Sequence, residues 1–157
     1  MSDMLVKLYE IDKNSCDLSI ENLEKESIFI KRAMAPNTTQ IMDFIEKTFS
    51  KCWADECQKA ILNQPSSCYI ATKDNKVIGF GCYDATGKAF FGPTGVNPDF
   101  RGKGIGKVLL IKCLVSMWEM GYAYAIIGSA GPTKFYEDNC GAIEIPNSDP
   151  GFYKDLV

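Results

Sequence analysis

Apolar positions along this chain recur in two rhythms. Ile41, Phe44, Ile45 and Phe49 stand three and four apart behind Asn37 and Thr38, either of which can cap a helix, so a helix is predicted from there through Phe49. A second helix, Cys52 to Leu62, stops before Gln64-Pro65. The longest runs from Gly104 to Met120, is polar only at 107, 112, 116 and 119, and is therefore expected to be mostly buried, with Gly121 ending it. Thr133 to Asn139 reads as a short helix.

The other rhythm is that of strands. Met4 to Ile11 carries Leu5, Val6, Leu8 and Tyr9, and Ser27 to Met34 is a second β-rich run. The polar segment between them shows no clear period. Cys68 to Thr72 and Val77 to Tyr83 flank the polar turn Lys73-Asp74-Asn75-Lys76 and read as a hairpin. Lys88 to Val96 follows after Ala85-Thr86-Gly87. Pro93 within it cannot donate to a ladder, so the strand is expected to bulge or lie unpaired there. Tyr122 to Ile127 is a further strand, and Gly141 to Val157 is expected to hold at least one more. No repeat, low-complexity segment or linker interrupts this order. It describes a single domain, residues 1–157, of mixed α/β layers.

Composition narrows the class. A hydrophobic share of 46% and a charged share of 24% are those of an ordinary globular protein. The net charge of −3 argues against bulk electrostatic binding of nucleic acid. No apolar run reaches the length of a membrane span, and Met1 to Glu10 lacks a signal peptide's charged start and apolar centre, so the cytoplasm is the expected location. The seven cysteines include no C-x-x-C pair and mostly sit in apolar surroundings, which reads as small buried hydrophobes rather than disulfides or metal ligands. The absence of histidine excludes His-based triads, His-ligated metals and a histidine general base.

Against this acidic background one stretch stands out. Arg101-Gly102-Lys103-Gly104-Ile105-Gly106-Lys107 places glycines and cations just past an apolar run and at the start of an apolar helix. Free N–H groups at a helix start, with Lys and Arg beside them, suit a phosphate or pyrophosphate. Read as structure alone, the glycines merely turn the chain and the cations are solvated. A P-loop needs four residues between its glycines and Ser or Thr after the lysine; here three separate Gly102 from Gly106, and Val108 follows Lys107. A dinucleotide fingerprint would want glycine where Lys107 stands.

The residues from Val96 to Gly106 resemble the acetyl-CoA loop of the GNAT superfamily of N-acetyltransferases, with Arg101, Gly104 and Gly106 matching its Gln/Arg-x-x-Gly-x-Gly/Ala pattern. Downstream, Phe135-Tyr136-Glu137 and the run to Gly141-Ala142 resemble the family's second signature. The resemblance implies a central, mostly antiparallel sheet whose fourth and fifth family strands are parallel and splayed, with helices on both faces. It assigns Arg101, Gly102, Lys103, Gly104, Ile105, Gly106 and Lys107 to the CoA pyrophosphate, and the edge Thr94, Gly95 and Val96 to pantetheine. A backbone N–H near Val96 would then polarise the thioester carbonyl and Tyr136 would return a proton to the departing thiolate. Read as structure alone, Tyr136 is a core aromatic with its hydroxyl satisfied locally.

The general base stays unassigned, because the strand from Lys88 to Val96 holds no carboxylate. Asp84 and Glu56 are candidates, although most such carboxylates are solvated or capping groups, and Glu137 usually points to solvent in the family. Trp53, Asp55, Glu56, Tyr83, Asp84 and Phe91 fall where such folds contact substrate. Gly79 to Thr86, Phe91 to Val96 and Gly121 to Gly128 are also similar to bacterial glucosamine N-acetyltransferase domains, which carry paired domains where this chain has one.

The implied function is direct, metal-free transfer of acetyl from acetyl-CoA to a primary amine of a small molecule, with amino sugars among the acceptors and a homodimer as a family-level expectation. No nucleic-acid or membrane partner is expected. Peptide or protein amines form a second acceptor class. A non-catalytic acyl-CoA-binding or sensing domain is the alternative from a different class, motivated by the missing base. A plain interaction module is the third.

Overall fold

Alternate strand residues face opposite sides of a sheet, and in this chain each side meets its own helices. The computed structural model describes every residue, Met1 to Val157. Its strands are β1 (Met4–Lys7), β2 (Ile28–Arg32), β3 (Cys68–Lys73), β4 (Lys76–Tyr83), β5 (Phe90–Val96), β6 (Tyr124–Ile127) and β7 (Ile143–Glu144). The helices are α1 (Asp17–Lys25), α2 (Thr38–Thr48), α3 (Lys51–Leu62), α4 (Ile105–Glu119) and α5 (Thr133–Cys140). Short 3-10 turns occupy Leu8–Glu10, Ala35–Asn37, Pro98–Phe100 and Gly151–Asp155. A 7-stranded sheet runs in the order β2-β3-β4-β5-β6-β1-β7, and every neighbouring pair is antiparallel except β5 with β6.

On one face Ile70, Val77 and Phe80 pack against Ile41, Ile45, Ala54 and Cys57 of α2 and α3. On the other, Ala71 and Ile78 meet Ile105, Val108 and Leu109 of α4, with Cys16 and Leu23 of the α1 segment alongside. Further along α4, Leu110, Leu114 and Met117 pack with Met4, Val6, Phe91, Ala125 and Tyr136. Helix α4 is apolar nearly all round because it is covered on most sides. Each of its fully buried leucines contributes about 1.5–3 kcal/mol of apolar burial. Its one buried polar side chain, Ser116, hydrogen-bonds the Tyr69 hydroxyl at 2.7 Å.

Several expectations are trimmed. The first strand ends at Lys7, because Leu8–Glu10 turn over and Leu8 folds into the core. The polar segment after Ile11 contains α1, whose inward residues are too few to print a clear period. The tail supplies only the two-residue β7 and a 3-10 turn. The hairpin, the bulge near Pro93 and the long buried helix match the expectations: the β4–β5 register shifts between Gly81 and Tyr83.

Strand β1 holds the unforeseen position. It lies between β6 and β7, pairing Met4 with Ile127 on one side and with Glu144 on the other. The carboxylate of Asp3 just before it accepts the Ser129 N–H at 2.8 Å, and its own N–H donates to Ser148 Oγ at 2.7 Å. The N-terminal segment thus closes the C-terminal half of the sheet.

Candidate active site

Strands β5 and β6 lie side by side only briefly. Their parallel pairing is confined to Phe90 with Ile126 and Phe91 with Ile127. Beyond the bulge at Gly92-Pro93, β5 follows β4 instead, with Gly81 opposite Thr94, Phe80 opposite Gly95 and Gly79 opposite Val96. The Asn97 N–H reaches the Ile78 carbonyl at 2.8 Å. Hydrogen-bonded pairs alternate in an antiparallel ladder, so the N–H groups of Thr94 and Val96 point away from β4, into the gap left by β6. Side chains close the other face: Phe49 sits so near Gly95 that an added Cβ would lie 2.4 Å from its ring.

The chain then turns directly into α4. The Asn97 side chain accepts the Asp99 N–H at 2.9 Å and stops the strand in a 3-10 turn. Gly102 and Gly104 follow at φ +81 and +87, conformations open to glycine and strained for side chains that carry a Cβ. Gly104 caps α4 without a side-chain acceptor. No protein acceptor meets the amides from Gly102 to Lys107; the first helical hydrogen bond comes from Val108 to the Gly104 carbonyl at 3.1 Å. A string of free N–H groups at the positive end of a 15-residue helix is an anion cradle. Arg101 lies beside it, its Nε 3.4 Å from the Val96 carbonyl. Lys103 is turned aside to Glu26 at 2.8 Å, and this pairing holds the Glu26 carboxyl below its usual range.

At the mouth of the cradle, a Cβ on Gly106 would lie 3.8 Å from Val96 and 3.9 Å from Phe135. Phe135 packs edge-on against Tyr136, which in turn meets Phe91 with ring centroids 6.2 Å apart. Tyr136 is buried, and burial pushes its phenol up to about 12, with a smaller contribution from Cys140. Its hydroxyl has no hydrogen-bond partner in the protein, and no buried side-chain polar atom is left unpartnered, so the hydroxyl touches solvent-accessible space. The ring is a core residue and its tip is free. Cys140, one turn on, is held as a neutral thiol, pushed up to about 11 by burial.

The expected substrate residues separate into groups. Tyr83 and Phe91 are 1% and 2% exposed and belong to the core beside α4, so their rings line no open surface. The Tyr83 hydroxyl instead accepts from Arg32 at 2.9 Å; Arg32 also donates to the Tyr69 hydroxyl at 2.8 Å and to the Ser66 carbonyl. Asp84 has both oxygens occupied, accepting the Ala89 N–H at 2.8 Å and the Tyr122 hydroxyl at 2.9 Å. It fastens the turn that leads into β5. Glu56 accepts from Thr86 and Tyr153, both at 3.0 Å and both on Oε1, which leaves Oε2 without a partner. Trp53, one turn earlier on α3, is 37% exposed and packs on Phe49 at 5.3 Å. Asp55 is exposed between them.

Phe49, Arg32 and Tyr153 went unmarked in the sequence. Phe49 was visible only as the end of a helical stripe. Tyr153 lies in a tail with no period, and nothing local signals that Arg32 of β2 would lie opposite Tyr69 of β3.

A sequence model described as the acetyltransferase (GNAT) family matches residues 38–142. Among solved structures, a GCN5-related glucosamine N-acetyltransferase region of a fungal multi-domain β-N-acetylglucosaminidase superposes with TM-score 0.73 at 17% identity, covering 92% of this chain and 19% of that one. A GCN5-related N-acetyltransferase from Sphaerobacter thermophilus gives TM-score 0.65 at 17% identity, with 92% of this chain and 48% of the other covered. A GNAT acetyltransferase from Brucella melitensis, solved with acetyl-CoA, gives 0.55 at 17% identity over 71% and 80%. These likenesses show the fold. Formin-like protein 5 of Arabidopsis thaliana is 36% identical over 61 residues, which is 37% of this chain and 7% of that protein. The chain therefore spans a small part of the length of that curated relative.

Asp84→Ala removes two acceptors from partly buried donors. It is expected to cost about 1–3 kcal/mol in urea unfolding. Tyr122→Phe in the same background should then add little, because its partner is already gone. Additive losses would show that the turn is held by something else.

Proposed function

Because the chain belongs to the acetyltransferase (GNAT) family, we propose that it transfers an acetyl group from acetyl-CoA directly to a primary amine of a small molecule. The observation that supports this best is the continuity of the open β5 edge with the free amides from Gly102 to Lys107. The residues present suit the co-substrate. A pyrophosphate needs clustered donors, and the α4 start offers them unspent, with Arg101 and Lys107 adding charge. The missing side chain of Gly106 keeps the cradle open between Val96 and Phe135. Bound acetyl-CoA supplies an acyl group activated as a thioester.

The chain's own groups divide the remaining work. Thr94, Gly95 and Val96 present a strand edge to an extended ligand. The Val96 N–H is positioned to donate to an acyl carbonyl oxygen. Tyr136 holds a proton through the neutral range, because its raised pKa keeps the phenol un-ionised, and its free tip can give that proton to a leaving sulfur. A neutral, half-buried Cys140 supports direct attack over an acyl-cysteine route.

Trp53 and Glu56 stand three apart on one face of α3 and make the acceptor side. The unpartnered Oε2 of Glu56 serves an ammonium or takes its proton, and Trp53 offers an aromatic face to a cation or a sugar. Glu56 therefore carries the base role better than Asp84. A small amine, amino sugars included, fits this pair. The likeness in fold to a glucosamine N-acetyltransferase region supports putting amino sugars first.

The decisive assay follows CoA release from acetyl-CoA with amino sugars, diamines, polyamines and peptide N-termini. Release with a small amine is expected. CoA binding without release from any acceptor would move the protein to the sensing reading, and no CoA binding would remove both.

Tyr136→Phe should lower kcat by about 10²–10⁴-fold with acetyl-CoA affinity unchanged. The wild type should show no alkaline loss from Tyr136 below its pKa of about 12. Equal turnover by the variant would return Tyr136 to a packing role. Gly104→Val forces a β-branched residue to φ +87 at the cradle and should abolish CoA binding in calorimetry; retained affinity would sink the loop assignment.

A further inference from the structure

On the sheet face opposite α4, three sulfur atoms converge. Cys68 of β3 and Cys82 of β4 are directly opposite one another across the hairpin. Cys57 comes down on them from α3, and all three are 0% exposed. Cys57 Sγ and Cys68 Sγ are 3.6 Å apart, and the three sulfurs lie within 4.8 Å of one another. A triangle with sides no longer than 4.8 Å has a point within about 2.8 Å of each corner, the side divided by √3. Thiolate–metal bonds of this class are about 2.3 Å long, which sets the sulfurs of a planar site about 4.0 Å apart, so the Cys57–Cys68 pair at 3.6 Å opens slightly and the longer sides, at most 4.8 Å, close by less than an ångström.

The donor set selects the ion. The neighbours are Ala54, Ala60, Ile41, Phe80 and other apolar side chains, the chain has no histidine, and no carboxylate joins the cluster. Calcium and magnesium require oxygen ligands, and zinc takes a tetrahedral shell that this dry, three-sulfur corner does not complete. Soft, sulfur-only coordination favours Cu(I).

We propose that Cys57, Cys68 and Cys82 form a three-coordinate site for a single Cu(I) ion. On binding, sulfur–copper bonds form, displaced thiol protons leave to water, and copper keeps its oxidation state, so no electron acceptor is needed. The site fastens α3, which carries Trp53 and Glu56, to the β3–β4 hairpin. It is independent of the acetyl-transfer reading.

The full-length reduced chain is titrated anaerobically with Cu(I) buffered by a chromogenic chelator. One equivalent per chain should be withheld, with X-ray absorption showing sulfur alone near 2.3 Å. At a free Cu(I) about 100-fold above Kd, the Tm should rise by about 5–10 °C. Cys57→Ala, Cys68→Ala and Cys82→Ala should each lose the equivalent and the rise, while Cys52→Ala and Cys140→Ala keep both. Where a core variant fails to fold, the wild-type absorption spectrum still identifies the ligand atoms. No retained copper, retention of Zn(II) in its place, nitrogen or oxygen in the shell, or dependence on Cys52 or Cys140 would each overturn the proposal.

Discussion

One strand cannot follow two diverging neighbours, and much of this molecule's chemistry depends on which one β5 follows. It pairs with β6 at Phe90 and Phe91, bulges at Gly92-Pro93, and from Thr94 onward follows β4. That choice leaves the Thr94 and Val96 amides facing a gap inside a continuous sheet. An edge strand is usually a hazard because its backbone groups invite pairing with another chain. Here the open edge is short, internal and flanked by α4 and α5, so it can be read as a slot for a ligand of strand-like shape.

The start of α4 completes the slot because β5 runs straight into it. The helix is anchored by Ile105, Val108, Leu109 and Leu110 against the sheet, which fixes where its free amides point. Its cradle stays open because glycines at 102, 104 and 106 carry no side chain into it, and because Lys103 is drawn off to Glu26. Tyr136 has the same division of labour: Phe91 and Phe135 hold its ring while its hydroxyl remains free.

The proposed acceptor side is assembled from distant parts of the chain. Glu56 on α3 is held by Thr86 from the turn before β5 and Tyr153 from the tail, both on one oxygen. Asp84 meanwhile bridges Ala89 and Tyr122 and cannot serve without loosening that turn. Beneath α3 the Cys57, Cys68 and Cys82 sulfurs share one apolar corner. Strand β1 ties the far side, placing the N-terminal segment between β6 and β7.

The sequence by itself determined what depends on near neighbours in the chain. The stripe Ile41-Phe44-Ile45, the hairpin around Asp74-Asn75, the bulge at Pro93 and the glycine-cation loop before an apolar helix all have local causes: helical period, turn chemistry, a missing donor, a positive φ. Tertiary structure decided what depends on partners far away in sequence. A carboxylate's freedom is set by who donates to it, which separated Glu56 from Asp84. A tyrosine's role is set by whether its tip is satisfied, which separated Tyr136 from Tyr83. Strand order is set by which edges remain unpaired after the rest has folded, so β1's place was invisible in its own residues. Cysteines spaced 11 and 14 residues apart form no motif in the sequence, and only the docking of a helix on a hairpin brings their sulfurs together.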